Sequence, residues 1–122
     1  MKTVSINAVR AEGFHIDVSA GDFTMIVDQP PAGGGNNDGP NPLQYTLASL
    51  GACMVTIGTI IANQERLNIC GMSCKVDADI ETKVLLGKAT EPRAGFTDIR
   101  MEIDIDADMT PEEKHAFVER IE

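Results

Sequence analysis

The sequence predicts an α+β fold of antiparallel sheets packed on one long, apolar central helix. Three observations carry this reading. Period-two alternation marks strands on both sides of the middle of the chain. A charge-free stretch of helical length lies between them, and a capped helix start follows the last alternating run. At 122 residues, with 43% hydrophobic and 24% charged residues, the chain has the size and balance of one ordinary domain. Residues 1–122 are therefore read as a single domain.

Each element follows from its local pattern. Val4, Ile6 and Ala8 alternate with polar neighbours, as do Phe14, Ile16 and Val18, and then Phe23, Met25 and Val27. These runs predict a three-stranded antiparallel meander. The stretch from Gln29 to Pro40 consists of breakers and turn formers and reads as a plain mobile loop. Its triple glycine invites a phosphate cradle, but no Gly-Lys-Ser/Thr ending follows and Asp38 would repel phosphate. Asn41-Pro42 is a helix start, with Asn as N-cap and Pro at the first helical position. The helix is expected to run to Leu67 or Asn68.

No charged side chain occurs between Gly39 and Gln64. The fully apolar or small stretch, Leu47 to Ala62, is about 16 residues, short of the roughly 20 that a membrane span needs. A buried central helix is the expectation, with no membrane. One small sheet covers a single side of such a helix, so a second copy of the chain is expected on the other, with Ala48, Gly51, Ala52 and Gly58 allowing close approach. Beyond it, Cys74, Val76, Ala78 and Ile80 form one strand face, opposite Lys75, Asp77, Asp79 and Glu81. Ile99, Met101, Ile103 and Ile105 alternate with Asp98, Arg100, Glu102 and Asp104. The acidic rows read as solvated outer faces. Residues 87–95 read as a loop, and Thr110-Pro111-Glu112-Glu113 starts a last helix with a capping box and a Phe117, Val118, Ile121 stripe. That helix reaches Glu122 mid-pattern, so the natural protein is expected to continue.

Composition excludes several functions. A net charge of −9 disfavours nucleic acid, and 4% aromatic residues without Trp leave little to stack bases on. Three cysteines do not close a disulfide framework, and Met1-Lys2-Thr3-Val4 opens straight into alternation, so a reduced, cytoplasmic location is the expectation. His15 and His115 have no ligand spacing around them and read as surface residues, with no metal or other cofactor implied. No Gly-x-Ser-x-Gly elbow is present. Cys70 and Cys74, three residues apart in between, match neither a redox Cys-x-x-Cys nor a zinc knuckle and read as packing residues. Cys53, between Gly51-Ala52 and Met54 in the uncharged helix, is a packing residue unless a positive neighbour activates it.

The run Gly39-Pro40-Asn41-Pro42-Leu43-Gln44, followed by a small-residue helix reaching Gly51-Ala52-Cys53, resembles the signature of the OsmC/Ohr family. The order of elements resembles it too, along essentially the whole chain. The resemblance implies an intertwined homodimer of two packed central helices. It also implies a thiol peroxidase that reduces organic hydroperoxides with a thiol reductant and no cofactor. Cys53 would be the peroxidatic cysteine. Arg10 would stabilise its thiolate, and Gln44 stands where the family has an acidic partner for that Arg. The resolving cysteine of the family would fall beyond Glu122. Two alternatives accompany this reading. One is a non-catalytic OsmC-like dimer binding a small apolar ligand in the inter-subunit groove. The other is an interaction module whose acidic faces meet a basic partner.

Overall fold

The computed structural model describes residues 1–80 and 96–121. Glu81 and the loop read over 87–95 lie outside the described residues. The chain divides into two compact units, Met1–Thr46 and Leu47–Glu122.

The first unit carries the meander. Strands β1 (Asn7–Glu12), β2 (His15–Ala20) and β3 (Phe23–Val27) pair antiparallel in that order. The first strand begins three residues after the alternation does, so Val4 and Ile6 precede β1 and are exposed. Ile16 pairs with Val27 and Val18 with Met25, which places the apolar rows of β2 and β3 side by side. Only Val18 and Val27 of these residues are fully buried, while Val9 and Phe23 remain 54% and 77% exposed.

The loop after β3 is not the plain mobile connection that its composition suggests. It turns through a short 3₁₀ segment, Pro31–Gly33, and folds back on its own start. The Asn37 amide donates to Gln29 O at 3.0 Å and the Asp28 amide to Pro40 O at 3.1 Å. Buried backbone donors need partners, and here a buried carboxylate, Asp28, supplies them.

Helix α1 spans Pro42–Gln64. The sequence reading carries it to Leu67 or Asn68; the structure ends it earlier, because Arg66 adopts a left-handed φ of 56°. The Leu67 amide then donates to Ala62 O at 2.8 Å and the Arg66 amide to Asn63 O at 3.3 Å. These two bonds form a Schellman cap, made here without the usual glycine.

The second unit packs α1 on a long two-stranded ribbon, β4 (Ile69–Ile80) and β5 (Phe96–Ala107), and on α2 (Pro111–Ile121). Register confirms the alternation: Met72 faces Ile105, Cys74 faces Ile103 and Val76 faces Met101. The acidic residues point the other way and are exposed. Among them, Arg100 donates to both Asp79 and Asp98. The predicted capping box of α2 forms, with Thr110 and Glu113 exchanging amide bonds of 3.3 and 3.2 Å. Its stripe then delivers Phe117 and Ile121 to a core with Ala62 and Ile105.

The glycines of α1 do something other than the sequence suggests. They were expected to let two helices approach, but both face inward within this unit. A methyl group on Gly58 would stand 2.5 Å from Met72 Sδ and 3.0 Å from Ile121 Cδ1, and one on Gly51 would stand 3.2 Å from Val76 Cγ2. They seat the helix on β4 and α2. The opposite face carries Ala48, Ser49, Ala52, Cys53, Thr56, Thr59 and Ile60, all exposed. The expected burial of α1 on every side is therefore not met within one chain: its most apolar window is 11% buried. By length and composition alone the helix could also cross a membrane.

Candidate functional site

The motif at the start of α1 has a physical reason at each position. Gly39 runs against β3 so closely that a Cβ would lie 2.3 Å from Ile26 O, which only glycine permits. Pro40 accepts the Asp28 amide through its carbonyl. Asn41 is the N-cap, Pro42 the first helical residue and Gln44 the third. The Asn41 amide donates to Gln44 Oε1 and the Gln44 amide to Asn41 Oδ1, both at 2.9 Å. This is a reciprocal capping box in the first unit. Tyr45, next in line, donates its hydroxyl to Ile26 O at 2.8 Å. Within the first unit, the motif is thus a device that seats the first turn of α1 beside the β3 backbone.

The candidate residues fall as follows. Cys53 lies on α1 in the second unit, exposed, with Ser49, Ala52 and Thr56 as its small neighbours on that face. Gln44 has its side-chain oxygen engaged in the capping box. Arg10, on β1, is exposed and donates its Nε to Gly13 O at 2.9 Å, closing the β1–β2 turn. Arg10 and Gln44 thus belong to the first unit and Cys53 to the second. Of the other thiols, Cys70 is exposed, whereas Cys74 is half-buried toward α1 and burial pushes its thiol up from the ordinary range. That makes Cys74 a poor nucleophile at neutral pH, in keeping with its reading as a packing residue.

Sequence reasoning missed Asp28 and misjudged His15. Asp28 is 2% exposed and accepts three backbone amides: Gln29 at 2.7 Å, then Asn36 and Asp38 at 3.2 Å each. These donors, the Gln29 amide foremost, hold its carboxyl below the usual range despite burial. A signal was available: one acidic residue standing directly between an apolar strand and an amide-rich glycine loop. His15 does point away from the Ile16 and Val18 face, as alternation predicts, but the loop folds over it. Its Nδ1 meets Asp38 Oδ2 at 3.2 Å and its Nε2 meets Asp17 Oδ1 at 3.1 Å. Asp38 first, then Asp17, raise its pKa above the ordinary 6.5. His15, Asp28 and Asp38 bring donor atoms within 4.8 Å of one another. Those atoms are already taken up by the amides and by one another, so the group reads as an internal hydrogen-bonded cluster rather than a ligand set.

The fold agrees with known proteins. A family model described as OsmC-like protein matches residues 34–122. The chain belongs to that family. Among solved structures, an OsmC-like protein from Mycoplasma pneumoniae superposes with a TM-score of 0.84 at 21% identity, covering 98% of this chain and 80% of that one. An organic hydroperoxide resistance protein OsmC from Legionella pneumophila gives 0.71 at 19%, covering 99% and 82%. The organic hydroperoxide resistance protein OhrB of Bacillus subtilis gives 0.60 at 19%, covering 98% and 83%. At these identities the likeness establishes the fold. No curated protein matches the sequence.

Proposed function

We propose that the protein is a cytoplasmic, homodimeric thiol peroxidase that reduces organic hydroperoxides through Cys53. The observation that carries this reading is the exposed Cys53 on α1, in sequence with the Gly39-to-Gln44 motif, in a chain of the OsmC-like family. The names of the Legionella and Bacillus structures, organic hydroperoxide resistance proteins, support the substrate class. In this reading the Cys53 thiolate attacks the O–O bond. The sulfur becomes a sulfenic acid and the alkoxide leaves, taking a proton to give the alcohol. A thiol then displaces water to form a disulfide, and a second thiol releases Cys53 by exchange. Arg10 would stabilise the thiolate and Gln44 would orient that guanidinium.

One equivalent of cumene hydroperoxide in the presence of dimedone tests the step directly. Mass spectrometry should find the sulfenic acid adduct on Cys53, with Cys70 and Cys74 unlabelled. Adducts spread evenly over the thiols, or none on Cys53, would favour instead the non-catalytic dimer that holds a small apolar ligand. That second reading draws support from Gln44 Oε1 and Arg10 Nε, which already hold backbone partners.

The homodimer rests on the exposed face of α1. A helix this apolar, with one face uncovered, needs an apolar partner in water. Placing a charge there should break the pairing while sparing the inward face. Thr56→Glu is therefore expected to convert a dimer to a monomer or an aggregate by light scattering with multi-angle detection. An unchanged dimer would move the interface elsewhere.

A further inference from the structure

We propose that His15 is a proton-operated latch that fastens the loop of residues 28–40 to β2, closed when the ring carries two protons and open when it carries one. The two ring nitrogens each face a carboxylate oxygen, Asp38 at 3.2 Å and Asp17 at 3.1 Å. An imidazolium donates to both at once. A neutral imidazole has one N–H, so its other nitrogen then turns a lone pair toward a carboxylate. One of the two contacts must be given up on deprotonation.

The contact to Asp38 matters to the loop because Asp38 is shared. Its carboxylate meets His15, while its own amide donates to the buried Asp28. Asp28 also holds Asn36, and Asn37 donates to Gln29 O, so one side chain and one backbone anchor secure the same turn. Among the described residues, the His15 contact is the side-chain hydrogen bond that joins this turn to the face of β2, and its loss leaves Asp28 to hold the turn from beneath. The groups that face the ring from each neighbouring element are acidic. Asp17 lies on β2 itself, Asp38 in the loop and Asp28 after β3; Glu12 on β1 is the backbone register partner of His15. Arg10 of β1 spends its Nε on Gly13 O. The surrounding charge therefore favours the doubly protonated ring, and the side chain is 24% exposed, open enough to exchange protons with solvent.

The sign follows from this setting. The ring's pKa is raised in the folded state, so the latch is complete below the ordinary 6.5 and is lost as pH rises through the raised value. The segment it releases leads through Gly39 and Pro40 into the Asn41 cap of α1.

The test uses the whole chain carrying His115→Gln, which leaves His15 as the single imidazole. Ring nitrogen shifts and amide exchange at Asn36, Asn37 and Asp38 are followed by NMR from about pH 5 to 9. After correction for base-catalysed intrinsic exchange, these amides should exchange about tenfold faster above the ring's transition, with the same midpoint. His15→Gln should give fast exchange that no longer depends on the latch pH. Asp38→Asn should move the ring's midpoint down while the β2–β3 amides keep their protection. Protection that stays flat through the ring titration, or is unchanged by His15→Gln, would overturn the latch. So would loss of protection on adding EDTA at fixed pH, which would assign the fastening to a metal ion.

Discussion

Cys53→Ser is expected to reduce cumene hydroperoxide consumption with a dithiol to the buffer rate, a loss of at least about a thousandfold. The expectation comes from the chemistry of the step. Peroxide cleavage needs a soft, ionisable nucleophile that can hold the oxygen it receives, and a serine hydroxyl is neither ionised at neutral pH nor able to form the sulfenic acid. The substitution should leave the fold intact, because serine is close to cysteine in size and Cys53 lies away from the core of Ala62, Ile105, Phe117 and Ile121. Circular dichroism and thermal unfolding should therefore match the parent. Cys74→Ser supplies the contrast: its thiol is half-buried and raised by desolvation, so turnover should persist while stability falls slightly. Equal turnover in the parent and Cys53→Ser proteins would end the peroxidase reading and leave the ligand-binding dimer.

Local rules make much of this protein legible in its sequence. Both helix starts, Asn41-Pro42 as N-cap and first helical residue and Thr110-Pro111 with the Glu113 capping box, are short-range devices, and both form. The β4–β5 ribbon was legible because strict alternation leaves one register that opposes apolar residues. What was not legible depends on partners distant in sequence or on a helix without a polar face. α1 is apolar or small nearly all round, so nothing in its pattern says that Gly51 and Gly58 turn inward toward β4 and Cys53 outward. Its end was missed because Arg66, not glycine, takes the left-handed turn. The site residues were legible as a motif, but composition could not reveal that Gln44 closes a capping box and Arg10 a β-turn. The glycines and prolines of the loop suggest mobility, whereas its order depends on Asp28 and His15, bonded across eight to 23 residues.

Asp28→Asn is expected to lower the melting temperature by on the order of 10 °C, the largest stability effect of any single change outside the core. The carboxylate accepts three amides through two oxygens, whereas an asparagine offers one acceptor and turns an NH2 group toward donors. At least one buried amide is then left without a partner, in a residue that is 2% exposed. The damage should be local. Exchange at Asn36 and Asp38 should rise sharply, while the β4–β5 amides hold their protection, because the second unit has its own core. The acid limb provides a second check. Because its folded pKa is depressed below the ordinary 3.8, the Asp28 carboxylate contributes its full stability above that value and loses it as pH falls through the depressed one. The gap in melting temperature between the parent and Asp28→Asn should therefore stay constant from neutral pH to about pH 4 and close below it. A gap that instead widens in acid would show that Asp28 is protonated in the native loop, and the three-amide anchor would have to be redrawn around a neutral acid.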